Sequence, residues 1–428
     1  IPEPVAQLIA RLLRKDPAER YQSAVSLRHD LDVMLDAIDR TGTVAAMDLG
    51  TRDLEADLRI SDKLYGRVPQ VEQLARVFDA SKTGRARFVQ ITGPSGVGKS
   101  ALVRRLQGPV VAAHGRFVEG KFDQLQRDVP YRGLLLAFRQ LLMEVLHLPD
   151  DALHAQRKRL EQALAPNAAV LVDVLPELAD LLPECPPVPA LEGPTARNRF
   201  LLVFEAFVRA FTSTDHPMVL FLDDIQWADA SSLDLVARLL VDARETALLV
   251  VAAWRDGEVG SGHPVHDLLD TLTGVEDVVH KVALQPLAVD DVSALLVDSL
   301  ESETADVAAL ADLLHGRSGG NPFLLRLLLQ TLVQEGLVTP DHHAQRWSWS
   351  IRDIRALPLP DDAVGLALKR IAGFPDETQR MLQSVAALGD HAPVRTVASA
   401  LSFEPTEVLK DLAPAIDASV VVPESDGD

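Results

Sequence analysis

Gly93-Pro-Ser-Gly-Val-Gly98-Lys99-Ser100 sets an ammonium and a hydroxyl side by side after three closely spaced glycines. That spacing suits the binding of phosphate. Glycines let the backbone curl so that its N–H groups point inward at phosphate oxygens. Lys99 is placed to reach β- and γ-phosphates, and the Ser100 hydroxyl to take a position on Mg²⁺. Residues Gly93, Pro94, Ser95, Gly96, Val97, Gly98, Lys99, Ser100 and Ala101 are therefore expected to cradle ATP or ADP.

A second cluster follows. Val219-Leu-Phe-Leu222 is an apolar run ending in Asp223-Asp224. A carboxylate at the end of a strand beside the phosphate-loop strand can hold Mg²⁺ through water, and the next acid can orient or deprotonate an attacking water. Asp223 is assigned to the metal and Asp224 to the water. Asp224 is short for this task, which leaves slow turnover or water positioning alone as alternatives. A third apolar run, Leu248 to Trp254, ends in Arg255. Arg255 either stabilises charge on the γ-phosphate or pairs with surface acids.

These groups need a scaffold that brings strand ends together. Arg87–Thr92 reads as a strand running straight into Gly93, and Ala101-Leu-Val-Arg-Arg-Leu continues as a helix whose N-terminal dipole favours phosphate. Further apolar runs at 116–118, 218–222 and 248–253 alternate with helical periods. This predicts an α/β P-loop NTPase fold with a parallel sheet and helical crossovers. From about Leu287 the pattern is mostly helical. Trp347 and Trp349 alternate with polar neighbours and read as one face of a β-hairpin, and His342-His343 as a solvated loop. Helices are expected near 364–371, 376–387, 394–401 and 406–416, followed by a strand at Val420-Val-Val422.

The 428 residues carry 62 acidic and 42 basic side chains, a formal net charge of −20. Phosphate-backbone binding needs clustered Lys and Arg, so nucleic acid is not an expected partner. The single cysteine excludes an internal disulfide and a Cys-built zinc site. No apolar stretch approaches the ~20 residues that span a bilayer. With no signal peptide visible, a cytoplasmic location away from membranes is expected. The chain begins at Ile1 rather than Met, which reads as a piece of a longer polypeptide.

Several motifs resemble one family together. Tyr65-Gly66-Arg67, the phosphate loop, Gly120-Lys-Phe-Asp-Gln124 with Pro130-Tyr131, Leu222-Asp-Asp-Ile-Gln-Trp-Ala-Asp229, Trp254-Arg-Asp256 and Gly319-Gly-Asn-Pro-Phe323 look like the STAND class of AAA-like signalling ATPases. Residues 1–36, with Arg14-Lys-Asp-Pro-Ala-Glu-Arg20, resemble the last helices of a Ser/Thr protein kinase. Arg20 stands where that family pairs an arginine with a buried acid. The combination resembles the ATPase module of large bacterial proteins that begin with a Ser/Thr kinase and end with a sensor histidine kinase.

The resemblance implies a kinase-like tail at 1–36, a linker at 37–58, an ATPase core at 59–285, a helical subdomain at 286–356 and a truncated winged-helix-like domain at 357–428. It implies Gly66 and Arg67 near the adenine, and Pro322 packed against the base to report domain closure. It also implies ATP-dependent self-association and coupling to flanking kinase and sensor domains. Residues 361–428 hold twelve acids and five bases, so a DNA-reading winged helix is not expected. No kinase active-site motif is present. Two other functions share these features: a transcription regulator of the maltose-activator type, and a nucleotide-gated scaffold without turnover.

Overall fold

The computed structural model describes residues 2–15, 20–21, 24–44, 47–50, 58, 60–124, 129–183, 185–241, 246–275, 278–341, 346–358, 363–389, 392–417 and 420–422. They fall into two compact units: residues 62–291, and residues 1–61 together with 292–428. His342-His343 lies outside the described residues.

In the unit 62–291, five strands form one sheet: β1 Arg87–Thr92, β2 Arg116–Lys121, β3 Met218–Asp223, β4 Leu248–Trp254 and β5 Val279–Ala283. Their order is β2-β3-β4-β1-β5 and every pairing is parallel. The expected adjacency of the Asp223 strand and the phosphate-loop strand is corrected, because β4 lies between them. Every residue of β4 is buried, and the most uniformly apolar strand takes the sheet centre. Strand β5 was not expected. Its Val-His-Lys-Val-Ala sequence suits an edge.

Side chains alternate between two cores, as the period of two requires. Val219, Phe221, Leu249, Val251, Val89 and Ile91 face one core, shared with Leu102 and Val103 of the helix Lys99–Arg104. Leu220, Leu222, Val250, Ala252 and Phe88 face the other. That second core is filled by the helices Arg132–Leu146 and Gly193–Phe211. There Phe138 meets Phe204 and Phe207 edge-on, at 5.2 and 5.5 Å between ring centroids. Continuing the alternation by two from Phe221 puts Asp223 on the face of the helix that starts at Lys99.

The turn out of β1 depends on Gly93. Its φ is 150°, and a Cβ there would lie 2.6 Å from the backbone oxygen of Leu284. Gly93→Ala is expected to destabilise the unit by about 1–3 kcal/mol from the backbone conformation alone. Chemical denaturation of wild type beside the variant measures it.

In the other unit the helices Glu3–Leu12 and Ala24–Thr41 tie down the chain that follows. Buried Asp30 accepts from the Tyr21 hydroxyl at 2.5 Å and from the Gly50 N–H at 2.7 Å, and Arg11 donates to the Leu49 carbonyl. The second helix runs on to Thr41, so the linker expected from residue 37 begins inside it. Arg20 donates to the carbonyls of Arg14 and Lys15. A two-stranded antiparallel hairpin, β6 Val338–Asp341 with β7 Arg346–Trp349, carries Trp347 buried on one face, as its alternation predicts.

The helices Asp376–Leu388, Val394–Leu401 and Pro405–Asp417 gather around Met381, Val397, Val408 and Leu412. The strand expected at 420–422 is not formed. Val420 and Val421 bend back instead, and their N–H groups donate to the Ala415 carbonyl. The run offers three apolar side chains, but a strand also needs a partner edge, and the helix end satisfies the backbone first.

Candidate nucleotide site

Gly98, at φ 98°, starts the helix Lys99–Arg104. Its first N–H groups have no carbonyl within the helix, as at any helix start. Lys99 is almost fully buried. Its Nζ donates to the carbonyls of Gly93 at 2.9 Å and Pro94 at 3.0 Å. Burial lowers its pKa, while the carboxylates of Asp223 and Asp224 oppose the shift. The ammonium thus holds its own loop while facing the two acids.

One residue further, the Ser100 hydroxyl donates to Asp223 Oδ2 at 2.5 Å. The two residues assigned to Mg²⁺ from sequence are therefore brought together across more than a hundred residues of chain. Asp223 Oδ1 accepts the Asp224 N–H at 3.0 Å. A hydroxyl and a carboxylate are hard oxygen donors, and Mg²⁺ is commonly held by one or two carboxylates with phosphate and water completing its shell. The donor set fits that ion. Among the described residues no cluster of three or more His, Cys, Asp or Glu forms a cage that would bind metal without phosphate.

Burial raises the Asp223 pKa. The Ser100 hydrogen bond opposes the rise and the Asp224 charge adds to it. Such a carboxyl binds its proton more tightly in the folded state than in the unfolded one. Its stabilising contribution is present at low pH and is lost as pH climbs from the ordinary carboxylate range through the raised folded value. Asp223→Asn removes that dependence. Without Mg²⁺ and nucleotide, the variant is expected to melt above wild type at neutral pH, with the gap closing in acid. A thermal-unfolding series across pH reads both.

Asp224 has the left-handed backbone of φ 53° and ψ 41°, and opens the short 3₁₀ turn Ile225–Trp227. Its Oδ1 accepts from Gln226 Nε2 at 2.9 Å and lies 3.6 Å from Arg255 Nε. Arg255 also pairs with Glu258 at 2.8 Å. The structure thus joins two of the groups expected to act on the γ-phosphate, as an ion pair with each other.

Arg67 reaches the phosphate loop, and Gly66 precedes it in the chain. Arg67 is buried and donates to the Gln285 carbonyl at 2.5 Å, with the Val97 carbonyl of the phosphate loop at 3.5 Å. Burial lowers its pKa and Asp291 opposes the shift, but a guanidinium stays charged at any working pH. Gly66, at φ 63°, passes so close under the Asp291 carboxylate that a side chain would displace it. Pro322 belongs to the other unit. It begins the helix Pro322–Gln334, whose first N–H groups donate to Asn321 Oδ1.

Some contacts of the site have no signal in sequence, although Tyr131 and Asp229 both stand in motifs that carry the resemblance. Tyr131 sits at φ 63° before the helix Arg132–Leu146, its N–H donating to Asp229 Oδ2 at 3.2 Å and its ring 4.7 Å from that of Phe200. His263 Nε2 lies 3.0 Å from the Gln226 carbonyl oxygen. Both links join segments far apart in the chain, which no local spacing reveals. Arg104, one turn past Ser100, donates to Glu119 of β2 at 2.9 Å.

Residues 63–251 match the family model described as AAA ATPase domain. The chain is similar to hybrid signal transduction histidine kinase G of Dictyostelium discoideum, 24% identical over an alignment that covers 99% of this chain and 14% of that protein. It is also similar to the peroxide stress-activated histidine kinase mak3 of Schizosaccharomyces pombe, 20% identical over 93% of this chain and 20% of that protein. The chain therefore spans a fifth or less of these relatives, both of which are eukaryotic. Among solved structures, it is similar to the signal transduction ATPase with numerous domains from Pyrococcus horikoshii that carries a tetratricopeptide repeat sensor. That likeness has a TM-score of 0.43 and 12% identity, and covers 83% of this chain and 40% of that one. No helix among the described residues is long and apolar enough to cross a membrane.

Proposed function

We propose, from the match of residues 63–251 to the AAA ATPase domain model, that the chain is a slow, Mg²⁺-dependent ATP switch within a larger signalling polypeptide. Its nucleotide state would be read by flanking kinase and sensor domains. The observation that carries this reading is the contact between Ser100 and Asp223, which joins a complete phosphate loop to the acid expected to share its metal.

The roles follow from chemistry. The backbone of 93–101 and the N-terminus of its helix take the phosphates. Lys99 exchanges its two loop carbonyls for β- and γ-phosphate oxygens. Ser100 and Asp223 would hold Mg²⁺, which when bound neutralises charge on those oxygens. Asp224 orients the attacking water, and Arg255 exchanges its pairing with Asp224 for the γ-phosphate. Gly66 and Arg67 shape the base side of the site, and Pro322 reports domain closure. The association with histidine kinases in the names of its relatives supports a signalling setting. The Ser/Thr-kinase tail at 1–36, a cytoplasmic location and ATP-dependent self-association belong to the same proposal.

A second reading is a nucleotide-gated scaffold. The pairing of Asp224 with both Gln226 and Arg255 favours it, because the acid is engaged before any water arrives. Calorimetric titration with ADP and with ATP–Mg²⁺, with phosphate release followed in parallel, separates the two. Binding with slow release supports the hydrolytic switch. Binding without release supports the scaffold. A folded protein that binds neither nucleotide overturns both.

A further inference from the structure

We infer that Gln226 is the positioning residue of the Asp224 carboxylate. The inference rests on the reading of Asp224 as the water-orienting acid, and assigns the group that aims it.

Gln226 is completely buried, and its side-chain amide donates to Asp224 Oδ1 at 2.9 Å. That bond spans two residues of chain where Asp224 takes the left-handed conformation and a 3₁₀ turn follows, closed by the Trp227 N–H on the Asp224 carbonyl at 2.9 Å. The turn is pinned from outside. Val265 N–H donates to His263 Nδ1 at 3.2 Å, so that nitrogen is the acceptor and Nε2 carries the proton. Nε2 then donates to the Gln226 carbonyl at 3.0 Å. The backbone carbonyl and the side-chain amide of Gln226 each take part in a directional bond.

Asp224 has a second tie, to Arg255 at 3.6 Å. That ion pair is longer and set by charge rather than direction, and in the proposed cycle Arg255 leaves it for the γ-phosphate. The amide bond is the one that persists through that exchange, so it sets the carboxylate's direction when water is attacked. A buried amide that only filled space would be replaceable by an apolar side chain of the same volume. A positioning amide would not.

Two variants separate these roles in the 428-residue chain. Gln226→Met and Gln226→Leu each keep about the same volume and remove the donor without burying a charge beside Asp224. Each is expected to lower kcat for ATP by about 10- to 100-fold, the scale of a misaimed catalytic group. KM, ADP affinity and the melting temperature are expected to stay close to wild type. Turnover unchanged in both variants overturns the inference. So does a parallel fall of kcat, ADP affinity and melting temperature, which would mark Gln226 as structural. Asp224→Asn measured alongside tells the two levels apart. If Asp224→Asn and wild type turn over alike, or wild type does not turn over, the reading of Asp224 fails and takes the inference with it. If Asp224→Asn stops turnover while both Gln226 variants keep it, only the inference fails.

Discussion

Lys99→Ala is expected to weaken ATP binding by about 100-fold, and ADP binding by less because ADP lacks the γ-phosphate, while leaving the fold intact. Charge-assisted hydrogen bonds contribute roughly 1.5–3 kcal/mol each, and about 1.4 kcal/mol is tenfold in affinity. Two such bonds to phosphate would give about 10²- to 10⁴-fold. The low end applies here, because the free protein loses the Lys99 bonds to Gly93 and Pro94 when nucleotide enters. Removing a buried ammonium also relieves a desolvation cost, so the variant's melting temperature is expected to hold or rise. Calorimetric titration beside thermal unfolding checks both. A variant that binds nucleotide as wild type does would remove the phosphate assignment at its root.

Asp224→Asn is expected to give the opposite pattern: nucleotide binding retained, phosphate release reduced by about 10²- to 10³-fold. A positioned acid or base contributes typically 10²–10⁴ in rate, and the short reach of an aspartate argues for the lower part of that range. Asparagine tolerates the left-handed backbone of φ 53° at this position, and its side-chain oxygen can still accept from Gln226. Its charge is lost, so among the described residues Arg255 keeps Glu258 as its ion-pair partner. Single-turnover phosphate release with a parallel ADP titration reads the separation. If binding falls with turnover, Asp224 holds the site together rather than serving the water.

The contrast between these variants shows which parts of the site were legible in sequence. The phosphate loop is a local device. Its glycines, lysine and serine are consecutive, and so are the acids at the end of β3, so both could be read directly. The Ser100–Asp223 contact also followed, because each half implies the other. The order of the strands did not. Nothing in the sequence of β4 says that it separates β1 from β3, beyond an apolar content that only makes sense once the sheet exists. The Gln226–His263 and Tyr131–Asp229 links were invisible because each joins a side chain to a backbone group far away in the chain. Val420–Val422 has the composition of a strand and lacks an edge to pair with, while only the last turn of the helix that ends at Thr41 falls within the expected linker.

The sheet register also governs how the protein comes off the ribosome. Strand β1 carries the phosphate loop, yet its neighbours are residues 249–254 on one side and 279–283 on the other. The backbone oxygen of Leu284 is what presses against Gly93. At synthesis rates of ~5–20 residues per second, Lys99 and Ser100 wait roughly 10–40 s for the strands that flank them. Through that interval the apolar lengths of β3 and β4 are made before the sheet can close. Nucleotide cannot template early folding, since its cradle has no walls until the last strand arrives. The nascent chain's exposure to chaperones and to aggregation is therefore set by the late emergence of β5, an edge strand that pairs directly with the strand carrying the phosphate loop.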